Sequence, residues 1–102
     1  MRTIQTIRTD LNNIRYYYSK REEFEKAFNY IGRNSIIDTI EEYNGIIRNA
    51  EPRLYELYVC LYVSNHTQES AAEELGYSLD YIVKGKKRLF KYFYEQINNV
   101  NI

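Results

Sequence analysis

Apolar side chains recur along this chain at alternating steps of three and four, the spacing that gathers them on one face of an α-helix. Ile4, Ile7, Leu11, Ile14 and Tyr18 form the first such stripe, the seam of a helix that can pack in a coiled-coil manner. The stripe then shifts phase to Phe24, Phe28 and Ile31, and Ser19 with Glu22 has the form of a capping box. The chain therefore either breaks near Ser19 or runs as one bent helix from Thr3 to Ile31. Gly32 to Ser35 reads as a turn, after which Ile36, Ile37, Ile40, Tyr43 and Ile47 mark a helix ending near Asn49. Pro52 suits a first-turn position and opens a helix over Arg53 to Val63. Asn65 and His66 make a short link to a helix that Thr67 caps. Nothing looks like a strand, so the pattern predicts an all-α fold of five or six helices, with long amphipathic helices at the front.

The stretch Thr67 to Arg88, TQESAAEELGYSLDYIVKGKKR, reads as a helix-turn-helix. Ala72 is small where two helices must cross closely. Gly76 follows Leu75 where the first helix has to stop, and a chain reversing there needs a left-handed residue, which glycine supplies at almost no steric cost. Ile82 returns an apolar side chain to the same core. Ser78 stands where an N-cap belongs and Asp80 faces the positive end of the helix dipole, so a second helix begins at Leu79. That helix carries Lys84, Lys86, Lys87, Arg88 and Lys91, enough cations to neutralise several phosphates. The plain alternative is a structural helical hairpin whose lysines are merely solvated.

From about Ala50 to Leu89 the chain resembles region four of bacterial sigma factors. Pro52 to Val63 resembles the lead helix, ending in Leu61-Tyr62-Val63, Thr67-Gln68-Glu69 the start of the next helix, and Ala72-Glu73-Glu74-Leu75-Gly76 the turn. The chain as a whole is similar to small region-four-like regulators encoded by phages and integrative elements of low-GC bacteria. The resemblance implies a transcription regulator acting on double-stranded DNA, with contact to RNA polymerase as a further property of such domains. The family pattern has large apolar residues where this chain has Ala71 and Lys86, so packing beneath the second helix is expected to differ. Gly85, in mid-helix, costs about 1 kcal/mol relative to alanine.

At 102 residues the chain has room for one core and reads as a single helical domain, with residues 1–49 an N-terminal helical segment and 50–97 the helix-turn-helix segment. The net charge is zero, yet residues 1–21 hold five basic and one acidic side chain, 22–74 four and eleven, and 75–102 five and two. Basic ends flank an acidic middle, a distribution that can present a positive face to DNA while limiting non-specific binding. The lone Cys60 lies in the apolar run LYVCLYV and is expected to be a buried small hydrophobe. With no membrane-length apolar segment and no signal-like start, the expected location is the cytoplasm.

Twelve tyrosines and no tryptophan put hydroxyls at many apolar positions, which suits the rim of a core or an interface. Tyr16-Tyr17-Tyr18 cannot all face one way on a helix, so at least one is expected outside the core. There it would support a homodimer seam or stack on bases, unless these tyrosines simply edge an intramolecular bundle. His66, the one histidine, has no Cys or acidic neighbour at ligand spacing, so no metal site or cofactor is expected. Glu22, Glu23 and Glu25, like Glu41-Glu42 and Glu73-Glu74, read as solvated helix faces, and no catalytic motif or phosphate-binding glycine loop is present; the chain does not read as an enzyme.

The helix-turn-helix pattern points to DNA binding, and the resemblance implies a transcription regulator of a phage or mobile element. Ile82, Leu89 and Phe93 are expected to face inward, and Asp80, Tyr81, Lys84, Lys87, Arg88 and Lys91 outward. Asp80 and Tyr81 are the base-reading candidates, Lys84 serves base or phosphate, and Lys87, Arg88 and Lys91 serve phosphates, with Ser78 and Gln68 adding phosphate contacts. The runner-up is a protein-interaction module on the same scaffold, bound to polymerase, a sigma factor or a host defence complex. Gly85 and the acidic middle favour that reading, and the lysine cluster favours DNA. A packaging-terminase small subunit comes third.

Overall fold

The computed structural model describes residues 1–23, 26 and 35–99 of the chain. Among them every regular element is helical: α1 (Ile4–Ser19), α2 (Ser35–Ile47), α3 (Pro52–Tyr58), a π-helical turn (Val59–Val63), α4 (Gln68–Leu75) and α5 (Leu79–Ile97). The shifted stripe of Phe24, Phe28 and Ile31 and the turn at Gly32 to Asn34 lie outside the described residues.

Helix α1 starts where Thr3 Oγ1 accepts the Thr6 N–H at 3.1 Å, and it ends at Ser19. Lys20 leaves helical geometry (φ −120°, ψ 26°) while its N–H folds back to the Tyr16 and Tyr17 carbonyls. The break is therefore real and the continuous bent helix is excluded, although Ser19 Oγ donates backward to Tyr16 O at 2.7 Å. The inward stripe also differs at its two ends. Ile4 is exposed and Tyr17, not Tyr18, completes the buried run of Ile7, Leu11 and Ile14. A three-residue last step keeps the ring over the core, and Tyr18 packs edge-on against it at 5.3 Å. Tyr16 is the member of the triplet left outside.

The helix expected over Arg53 to Val63 is α-helical only to Tyr58; the next turn widens to a π-turn, with Ser64 N–H bonding Val59 O at 2.8 Å and His66 N–H bonding Cys60 O at 3.0 Å. Leu57, Tyr58, Cys60, Leu61 and Tyr62 are all buried, a spread of positions wider than one face of a regular helix offers. Asn65, at φ 61°, turns the chain out. The carbonyls exposed by that ending are collected by Arg15 of α1, whose guanidinium donates to Leu61 O and Asn65 O at 3.1 Å and to His66 O at 3.4 Å. A cation at a helix C-terminus satisfies orphan acceptors and the negative end of the dipole together.

One core joins α1 to α5: Ile7, Leu11 and Ile14 meet Ile40, Tyr43 and Ile47 of α2, Leu57 and Tyr58 of α3, Ala71 and Ala72 of α4, and Ile82, Leu89 and Phe93 of α5. Phe93 lies at its centre, 4.9 Å from the Tyr43 ring and 5.8 Å from that of Tyr58. The tyrosine hydroxyls reach polar atoms at the rim: Tyr43 to Asp10 at 2.7 Å, Tyr58 to Asn44 at 2.6 Å, Tyr92 to Ile46 O at 3.1 Å. Tyr62 differs, its hydroxyl enclosed without a hydrogen-bond partner. Cys60 is buried as expected, and burial, with Glu74 and Glu56 adding to it, pushes its thiol pKa up.

Candidate nucleic-acid interface

Helices α4 and α5 are set by their end signals. Thr67 Oγ1 accepts the Ser70 N–H at 3.0 Å, Gly76 closes α4 at φ 74°, with Tyr77 N–H on Ala72 O at 3.0 Å, and Ser78 Oγ accepts the Tyr81 N–H at 3.1 Å. The turn between the helices is thus only Gly76 to Ser78, and α4 lies against the first part of α5. Ala71 and Ala72 are buried, small side chains that allow that approach.

On α5 the buried residues are Ile82, Gly85, Leu89 and Phe93. Gly85 belongs to the core because a Cβ there would lie 2.9 Å from Leu57 Cδ2; the glycine lets α5 settle onto α3. This packing role, and not a surface contact, accounts for the helix-weakening residue.

The expected site residues divide by side. Asp80, Lys84, Lys87, Arg88 and Lys91 are exposed, as is Ser78 at the N-cap, where its O–H remains able to donate. Lys84 pairs with Asp80 at 3.0 Å and Lys91 approaches Glu95 at 3.9 Å, both one helical turn apart and both at the surface, so these pairs hold the lysines weakly. Tyr81 differs from expectation: it is half-buried, its ring tilted against that of Tyr77 with centroids 4.5 Å apart and its hydroxyl enclosed. Burying that ring against the α4–α5 turn outweighs presenting it to solvent, and its outer face carries the Arg88 guanidinium at 5.5 Å. Gln68 and Lys87 both line a surface cleft whose remaining walls are Arg8, Val83, Lys86 and Phe90.

Two members of that cleft escape a sequence reading. Arg8 belongs to the front helix, and no local pattern places it beside α5. Lys86, noted above as a departure from an apolar position, is half-buried with its ammonium 5.9 Å from the Phe90 ring centroid, so its stem covers apolar surface while the charge reaches the cleft. His66 is half-buried, with Nδ1 2.6 Å from Ser70 Oγ. Among the described residues, no three His, Cys, Asp or Glu side chains gather as a metal site, and no helix is long and apolar enough to cross a membrane. No known protein family, curated protein or solved structure matches the chain.

Proposed function

We propose that this chain is a sequence-specific DNA-binding transcription regulator of a phage or mobile element, acting in the cytoplasm, with α4 and α5 as a sigma region-four-like helix-turn-helix. The observation that carries the reading is the asymmetry of α5. One face is locked in the core, while Lys84, Lys87, Arg88 and Lys91 all stand exposed on the rest. A helix with its side chains is about 10–12 Å across and the major groove is about 12 Å wide, so the outermost side chains meet base edges and the flanks meet phosphates. Asp80 and Lys84 on the first outward turn are the base-reading pair; Lys87, Arg88, Lys91, Ser78 and Gln68 serve phosphates. Tyr81 acts chiefly by holding Arg88.

The test is fluorescence anisotropy with duplex DNA across a salt series. Lys87→Ala is expected to weaken binding to every sequence and to reduce the slope of log K against log[salt] by about 0.9. Asp80→Ala is expected to change the preferred sequence instead. Failure of the wild-type chain to bind any duplex at low salt refutes the proposal. A second reading, a module that binds polymerase or another protein, draws on the cleft of about 360 Å³ in which Tyr55, Val59, Cys60 and Leu75 line the walls beside Glu56, Ser64, His66 and Glu74.

A further inference from the structure

We infer that the cleft between α1 and α5 seats one backbone phosphate of duplex DNA, held by Arg8 together with Lys86 and Lys87; the inference rests on the DNA-binding reading above. The cleft, of about 190 Å³, is lined by Arg8, Gln68, Val83, Lys86, Lys87 and Phe90, three cations and no carboxylate. Glu69 stands in the adjoining cleft, which it shares with Arg15 and Lys86. Like charges brought together from two helices repel, and the fold offsets this only in part. Arg8 and Lys86 lie 5.7 and 5.9 Å from the centroid of the Phe90 ring, whose negative face attracts them. An anion between them removes the remaining repulsion.

Position selects which anion. The cleft occupies one flank of α5, beside the outward turn that carries Lys84, while the Arg88 guanidinium over Tyr81 occupies the opposite flank. A helix in a major groove has one phosphate strand on each flank. The front helix thereby becomes part of the DNA-reading surface, and Arg8 adds a contact that the two-helix motif alone does not contain.

The experiment measures binding of the full-length chain to a random-sequence duplex by anisotropy over a salt series. Arg8→Gln removes the charge from an exposed position and is expected to cut affinity about eightfold at 0.1 M salt and to lower the salt slope by about 0.9, the signature of one lost phosphate contact. Arg8→Lys is expected to restore the slope. Lys20→Gln removes the same charge from the far end of α1, about 18 Å along the helix axis, and is expected to leave the slope unchanged. An Arg8→Gln slope equal to wild type, or an equal fall for Lys20→Gln, overturns the inference while the DNA-binding reading stands. Absence of binding by the wild-type chain overturns both.

Discussion

Gly85→Ala is the substitution whose outcome the packing decides most directly. Placed in a helix with open space, alanine in place of glycine stabilises by about 1 kcal/mol. Here the new Cβ meets Leu57 Cδ2 at 2.9 Å, against an ordinary carbon–carbon contact of about 3.5–4.0 Å. Leu57 is 4% exposed and belongs to the main core, so it has little room to yield. Overpacking of this kind costs about 1–3 kcal/mol, which outweighs the propensity gain and leaves a net loss of about 1 kcal/mol. The two effects separate in a double-mutant cycle followed by urea unfolding. Leu57→Ala alone costs about 2–5 kcal/mol through its cavity. Gly85→Ala added to it is expected to stabilise, because the obstructing methyl is gone and only the propensity term remains. The coupling between the two substitutions is then about 1–3 kcal/mol and favourable. Gly85→Ala stabilising the wild-type chain as much as it stabilises the Leu57→Ala background would refute a close approach of α5 to α3.

Further expectations concern the tyrosines. Tyr58→Phe removes the 2.6 Å bond to Asn44 and is expected to cost about 1 kcal/mol, whereas Tyr62→Phe removes an enclosed hydroxyl without a partner and is expected to be neutral or stabilising. Equal losses in thermal unfolding would contradict this. Tyr43, Tyr58 and Tyr62 are all held far above the ordinary tyrosine pKa, burial being the largest cause at each, with the Asp10 carboxylate adding to it at Tyr43. The unfolded chain therefore ionises first as pH climbs past about 10 and binds fewer protons than the native one. Stability lent by these rings is complete below that pH and falls above it by up to about 1.4 kcal/mol per pH unit for each ring. Tyrosinate absorbance should include a fraction that develops only as helical circular dichroism is lost; full ionisation with the dichroism intact would show the rings to be accessible.

Most helix ends were legible from single residues. Thr67, Gly76 and Ser78 act where the pattern placed them, because capping and left-handed turns are satisfied within three or four residues. The inward face of α5 was equally readable, since Ile82, Leu89 and Phe93 recur at helical spacing. The end of the helix expected over Arg53 to Val63 was not. Its widening into a π-turn answers the burial of nearly every residue in LYVCLYV, a demand set by α1 on one side and α4 on the other.

The class of fold, the order of the helices and the cationic character of the last one all follow from short-range spacing and local hydrogen bonding. How surfaces from distant segments meet follows instead from the packing of the whole core. Arg15 closes a helix that begins far along the chain, and Gly85 is buried because Leu57 lies above it. Arg8 joins Lys86 and Lys87 for the same reason. Each of these outcomes depends on which helix faces cover one another, a choice made by the whole core and not by any local run of residues.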